Sequence, residues 1–335
     1  MRRAKAKGRS LEEKNNKFGR KGGEIMEFET LINPPQAVFE QIVRWTGETE
    51  DWGFQLDDYQ FWSTSFDKFW LFTVVEKGTT NLVASLSLAR WDVPNDTPLY
   101  SIGLFYCLQK YRGQSHGKVL FQKVMDIVGN ENATLTGVVK MADKYASVFG
   151  FDKVADFWHN FSSIKIENLV IPEIVDQNYG TKNWSDVDQD LLHAYDSTIC
   201  IRDRRKIQTA WFNMKNTFTK VVFNIKTNQI VGYSTIRIVS KNKLSVAPFY
   251  AENLESAKVL LAALLHHIPL VSSYASIGFL HPAINQNVIP LLESFAKTSG
   301  DVQSAPFIKS QFTKKFLDSP HEKVYSITDC AHQFV

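Results

Sequence analysis

The hexapeptide Ser101-Ile102-Gly103-Leu104-Phe105-Tyr106 returns in the second half of the chain as Ser245-Val246-Ala247-Pro248-Phe249-Tyr250. Each copy is apolar enough for a buried strand, and each leads to a helix opening with Lys-Val-Leu, at Lys118 and at Lys258. A hairpin pattern stands upstream of each copy. In the first half, Leu71 to Val75 and Leu82 to Leu88 flank a turn at Lys77 to Asn81, and the second arm alternates with the period of two of a half-buried strand. In the second half, Val221 to Ile225 and Ile230 to Ile236 flank Lys226 to Gln229. This repeated order restricts the chain to an α+β class: two tandem units, each a mixed, mostly antiparallel sheet flanked by helices.

With 335 residues the chain has room for two cores. We expect one unit over residues 26–170 and a second over 171–335, divided near Asn168 to Pro172, with Gln177 to Ser185 as a polar connection. Within the first unit, Phe28 to Ile32 reads as a strand, and Asn33-Pro34-Pro35 opens a helix. Trp52 to Phe69 takes no assignment. Tyr100 to Leu108 reads as a strand, Lys118 to Val128 as a helix, Thr134 to Val138 as a strand, Met141 to Phe149 as a helix and Phe151 to Ile164 as strands.

Charge is unevenly spread. Residues 1–25 hold nine Lys/Arg against three Glu, a net +6, so the formal +3 of the whole chain leaves −3 for the rest. Residues 1–25 therefore read as a basic, disordered tail on a body that is not basic. Nucleic acid is an unlikely partner apart from weak contact with that tail. No apolar run approaches the ~18 residues of a membrane span, so no membrane partner is expected. Cys107, Cys200 and Cys330 form no CxxC pair, which fits a reducing compartment and excludes a zinc ribbon. We expect a cytoplasmic protein, with nuclear or organellar targeting by the basic tail left open, that is a monomer or homodimer and uses no metal. His266 and His267 near a helix end lack metal-ligand spacing.

The chemistry is concentrated in the loop that ends the first hexapeptide copy, Cys107 to Lys118. A buried strand followed by a two-glycine turn and a helix start can aim successive backbone N–H groups, with the helix dipole behind them, at a diphosphate. The turn has neither the G-K-[ST] ending of a triphosphate loop nor the glycine spacing of a dinucleotide fingerprint. Between Tyr250 and Lys258 four residues of this turn are missing, so the second unit should not bind a diphosphate in the same way.

Arg112-Gly113-Gln114-Ser115-His116-Gly117 resembles the acyl-CoA-binding motif R/Q-x-x-G-x-G/A of the GNAT acetyltransferases, with Ser115 where that family usually has glycine. The second unit is similar to the C-terminal domain of the YitH/HolE group of acetyltransferases. That similarity lies in Asp196 with Arg202 to Arg205, in Val231-Gly232-Tyr233, and in Ala247 to Ala251. The resemblance implies N-acetyl transfer from acetyl-CoA, as cosubstrate, to an amine on a small molecule or a protein lysine. It implies that Arg112, Gly113, Gln114, Ser115, His116, Gly117 and Lys118 bind the pyrophosphate. Phe105, Tyr106 and Cys107 would lie along the pantetheine, and the backbone of Cys107 would stabilise an oxyanion. The family's usual acidic tyrosine is replaced by Ala146; adjacent Tyr145 is the candidate acid. Asp203 between two arginines is a candidate grip for an anionic acceptor, although exposed charge clusters are usually only solvated. Trp52, Phe61, Trp62 and Trp91 are candidates to line an acceptor pocket. The other reading is a non-catalytic acyl-CoA-binding regulatory or interaction protein, suggested by Ser115 and Ala146.

Overall fold

A computed structural model describes residues 17–21, 24–92, 96–200 and 202–332. The first half runs β1 (Lys17–Lys21), β2 (Glu24–Ile32), α1 (Gln36–Thr49), α2 (Asp58–Ser65), β3 (Lys68–Glu76), β4 (Leu82–Trp91), β5 (Leu99–Cys107), α3 (His116–Val128), β6 (Asn132–Val138), α4 (Ala142–Phe149), β7 (Lys153–Val154) and β8 (His159–Lys165). The second repeats the order as β9 (Tyr179–Asn183), α5 (Gln189–Asp196), α6 (Arg205–Phe212), β10 (Thr217–Asn224), β11 (Ile230–Val239), β12 (Lys243–Ala251), α7 (Leu254–His267), β13 (Ser276–Pro282), α8 (Val288–Glu293) and β14 (Gln303–Phe312). A short strand, β15 (Val324–Ser326), follows.

The fold class matches the expectation of two tandem α+β units, and the anticipated hairpins are β3–β4 and β10–β11. Helices start earlier than their sequence signals. The first turn of α3 begins at His116 rather than Lys118, and α7 begins at Leu254, where Asn253 and Ser256 exchange a capping box. The unassigned stretch after Trp52 contains α2, whose Asp58 side chain accepts from the Gln55 amide. Of the basic segment, residues 1–16, 22 and 23 lie outside the described residues. Lys17–Lys21 differs from the expected disorder by pairing antiparallel with β2. The free edge of β2 offers backbone groups that almost any sequence can pair with.

The halves are not side by side but interlocked. The sheet order is β1-β2-β3-β4-β5-β6-β14-β8-β13-β12-β11-β10-β9. Strand β14, from the end of the second half, pairs with β6 of the first, while β8 of the first half pairs with β13 of the second. β14 and β8 then pair with each other, so each half completes the sheet of the other.

Between the halves lies a core in which Phe61 of α2 meets Trp211 of α6 edge-to-face at 5.1 Å. Phe61, Trp62 and Trp91, expected to line an acceptor pocket, are instead buried in or beside this core, and only Trp52 is part-exposed. Asp58 of α2 pairs with Arg237 of β11 at 2.5 Å, and Trp91 Nε1 donates to the Asp203 carbonyl. The apolar payload of these rings, rather than ligand contact, accounts for their presence.

Candidate functional site

Strands β5 and β6 run parallel and are paired only from Leu99↔Asn132 to Ile102↔Leu135. From Gly103 and Thr136 onward they part. At the same point β5 bulges: its register against β4 shifts between Ser85 and Ser87, Leu104 adopts φ +49°, and Ser85 Oγ donates to the Leu104 carbonyl at 2.8 Å. Beyond the bulge the Leu108 amide donates to the Val83 carbonyl. Antiparallel backbone groups alternate in direction, so those of Phe105 and Cys107 point away from β4, into the gap between the parting strands. The second half repeats this geometry. There β12 and β13 are paired from Leu244↔Ile277 to Val246↔Phe279 and then part, and Ser234 Oγ donates to the Pro248 carbonyl at 2.9 Å.

The gap of the first half leads to the expected turn. Gly113 has φ +84°, a left-handed conformation in which a side chain would be strained, and Ser115 caps α3 at φ +65°. Tyr111, Arg112 and Gln114 amides are used within the turn. Among the described residues, the amides of Gly113, Ser115, His116, Gly117 and Lys118 have no acceptor in the protein. They therefore form a cluster of donors at the positive end of α3. Gly117 is fixed by packing: a Cβ there would stand 2.9 Å from the Phe105 ring. Phe105 also faces Phe121 and Tyr145, with ring centroids at 5.6 and 6.2 Å.

Not every side chain in the turn faces the gap. The His116 imidazole turns inward, edge-on to Phe28 at 4.6 Å, and burial lowers its pKa, so only its amide is available. Tyr106 points to the other face, where its hydroxyl meets Thr49 Oγ1 at 3.0 Å. Arg112 is exposed and bridges Glu50, just after α1, at 3.0 Å, to the Cys107 carbonyl, also at 3.0 Å. Arg112 thus occupies the Cys107 carbonyl and leaves its amide. The Cys107 thiol is raised by burial, an effect that Arg112 opposes, so it is not an activated nucleophile.

Tyr145 is buried on α4, and its ring stands 3.1 Å from where a Cβ on Gly137 would be. Since Gly137 lies on β6 beyond the parting and Phe105 on β5, Tyr145 closes the gap from the α3–α4 side. Burial pushes its phenol well up, keeping it protonated. The arginine cluster of the second half departs from the expected exposed grip. Arg202 and Arg204 are buried, and Arg204 pairs with Asp196 through Nε at 2.8 Å and Nη2 at 2.7 Å. Tyr233 donates to the same carboxylate, and Arg204 reaches Tyr250 and Thr328, both at 3.3 Å.

Sequence reasoning missed the C-terminal residues altogether. β15 pairs antiparallel with β12 at Phe249↔Ser326 and Tyr250↔Val324, inside the gap of the second half. Ser326 Oγ donates to the Val246 carbonyl and accepts from the Leu280 amide, tying β12 to β13. The chain then crosses to the first half. There Thr136 Oγ1 donates to the Cys330 carbonyl at 2.6 Å, and a Cβ on Gly103 would lie 2.2 Å from the Ala331 carbonyl oxygen. Phe249 and Tyr250 match Phe105 and Tyr106 in the repeat, which was the one available signal that the second gap is the same slot. A cavity of about 550 Å³ lined by Val154, Phe157, Phe316, His321 and Glu322 shares no residue with either slot.

Beside that cavity His159 is buried against Phe157, and neither ring nitrogen has a partner. Burial pushes it down to about 3, with His321 and His281 adding to the shift. A neutral buried histidine titrates near pH 6.5 once unfolded, so the unfolded chain binds the extra proton and stability falls as pH drops below 6.5. Each such group contributes a slope of about 1.4 kcal/mol per pH unit. His159→Leu is expected to flatten the stability–pH curve between pH 4 and 6 by one proton, read from urea unfolding at several pH values; an unchanged slope contradicts this.

A bulged strand parting from its parallel neighbour above a turn of free amides is the architecture of the GNAT acetyltransferases. The family model of the acetyltransferase (GNAT) domain matches residues 192–296. Solved structures agree in fold. A putative acetyltransferase from Pyrococcus horikoshii superposes with a TM-score of 0.65 at 11% identity, covering 90% of this chain and 95% of that one. A tandem GNAT protein from the clavulanic acid biosynthesis pathway gives 0.60 at 13%, covering 86% and 97%. A GCN5-related N-acetyltransferase from Sphaerobacter thermophilus gives 0.55 at 10%, covering 87% and 97%. The chain belongs to the DUF1248 family, described as a protein of unknown function, whose model matches residues 25–199, just over half its length. No curated protein matches it in sequence. Among the described residues no helix is long and apolar enough to cross a membrane.

Proposed function

We propose that this chain is an acyl-CoA-dependent N-acetyltransferase with one donor site, held by the first of two units spanning residues 26–170 and 171–335. The observation that carries this reading is the gap beyond Ile102↔Leu135, with the free main-chain groups of Phe105 and the Cys107 amide along it and the amides of Gly113 and of Ser115 to Lys118 at its mouth. The pyrophosphate of acetyl-CoA takes those amides, with Lys118 adding charge, and the pantetheine pairs along β5. The occupied second slot supports this: an extended segment, β15, pairs with β12 at Phe249 and Tyr250, as the pantetheine would pair with β5 along Phe105 and Cys107. The second unit, with its slot filled and its turn shortened, takes no donor. We assign its finer likeness to the YitH/HolE group on the buried set Asp196, Arg204, Tyr233 and Tyr250.

In the reaction an unprotonated amine attacks the thioester carbonyl, forming the C–N bond. Of the two β5 amides that face the slot, the Cys107 amide pairs with the pantetheine and the Phe105 amide receives the developing oxyanion. Collapse breaks the C–S bond, and the Tyr145 hydroxyl protonates the departing thiolate; the proton shed by the amine passes to water, and water returns one to Tyr145. Tyr145 is assigned this part by position, its ring lying beside Phe105 at the slot and its phenol protonated.

The test is calorimetric binding of acetyl-CoA followed by CoA release with a panel of amines. Tyr145→Phe is expected to lower turnover by roughly 10² while leaving the dissociation constant for acetyl-CoA within twofold. Binding without release of CoA for any amine favours the non-catalytic acyl-CoA-binding reading, and absence of binding at millimolar ligand rejects both.

A further inference from the structure

The C-terminal segment does more than fill the second slot. After β15, the Ile327 amide still bonds the Leu280 carbonyl, and Thr328 joins Tyr250 at 2.8 Å. The next residues lie across the narrow end of the first slot. Asp329 accepts from Trp62 Nε1 at 2.8 Å and from the Ala331 amide at 2.7 Å, a local turn that sets the backbone of Cys330 and Ala331. Thr136 on β6 holds the Cys330 carbonyl, and the Ala331 carbonyl is packed against Gly103 on β5 so closely that no side chain fits there. His332, buried, meets Ser87 of β4 at 3.1 Å. This strap therefore touches both parting strands at the first residues beyond their last shared pair.

We propose that Cys330 and Ala331 form the end wall of the acyl pocket in the first slot and restrict the donor to short acyl groups. The inference rests on the proposed donor site. With the pyrophosphate at the turn and the pantetheine along Cys107 and Phe105, the acyl group points toward Gly103. From Phe105 to Gly103 is two residues, about 7 Å of strand. An acetyl group ends within that span; an octanoyl chain runs into backbone carbonyls that are anchored on both sides and have no side chain to swing away. A close-packed wall of this kind discriminates by overpacking.

The test uses the full chain and compares dissociation constants for CoA, acetyl-CoA and octanoyl-CoA by calorimetry. The parent chain should bind octanoyl-CoA at least tenfold more weakly than acetyl-CoA. Thr136→Ala, which releases the Cys330 carbonyl, should bring the two within threefold while leaving CoA itself unchanged. A chain ending at Ile327 should do the same, and if it fails to fold, Thr136→Ala decides alone. Equal affinities in the parent chain, or discrimination that survives in a folded Thr136→Ala variant with normal CoA binding, overturns the proposal. Failure of CoA itself to bind is a different result: it removes the donor site, and the strap's role with it.

Discussion

Gly117→Glu is expected to weaken acetyl-CoA binding at least a hundredfold, to the point where a titration that gives a clear isotherm for the parent chain shows no saturation. Two effects add. A carboxylate at the start of α3 stands beside the free amides of Gly113 and of Ser115 to Lys118, where the pyrophosphate is placed. Near a protein surface like charges 4 Å apart repel by about 4 kcal/mol, more than the roughly 2.7 kcal/mol that a hundredfold loss requires. The new Cβ also presses on Phe105, 2.9 Å away, which carries the slot backbone. Gly117→Ala separates the two, because it has the contact without the charge and should lose far less affinity. A glutamate variant that binds normally places the pyrophosphate somewhere else.

Asp196→Ala is expected to cost about 3–5 kcal/mol, enough to leave a marginal domain largely unfolded. The carboxylate is the ion-pair partner of fully enclosed Arg204, and Tyr233 donates to it as well. Removing it strands a buried cation whose charged form the partner had favoured. The reading is the urea midpoint, which should fall sharply. Asp196→Leu combined with Arg204→Leu should cost less than the single change, since it strands no charge. A single variant as stable as the parent shows that water reaches Arg204.

The legible part of this molecule was whatever its sequence encodes locally. The alternation of Leu82 to Leu88 marks β4, although the strand is buried on both faces rather than half-buried as expected, and the repeated hexapeptide marks the two equivalent strands. The turn connects β5 to the first turn of α3, and Tyr145 lies against Phe105 although the family position is Ala146. What stayed hidden depends on contacts between residues far apart in the chain. Nothing near Gln303 to Phe312 says that this strand belongs beside β6. Arg202 and Arg204 read as surface charges because their carboxylate and hydroxyl partners are supplied by folding. Nor does the short stretch from Val324 to His332 betray that it visits both slots; Gly103 shows it only because its missing Cβ leaves room for Ala331.

The exchange of β8 and β14 has a consequence for how the chain is made. As the first half leaves the ribosome, β6 must wait for a neighbour that is still to be synthesised, while β8 holds a place for a strand that does not yet exist. Pairings of such long reach close slowly and leave strand edges open to other chains in the meantime. Each half is in this sense an intermediate for the other, and neither sheet can mature until the last strands have been translated.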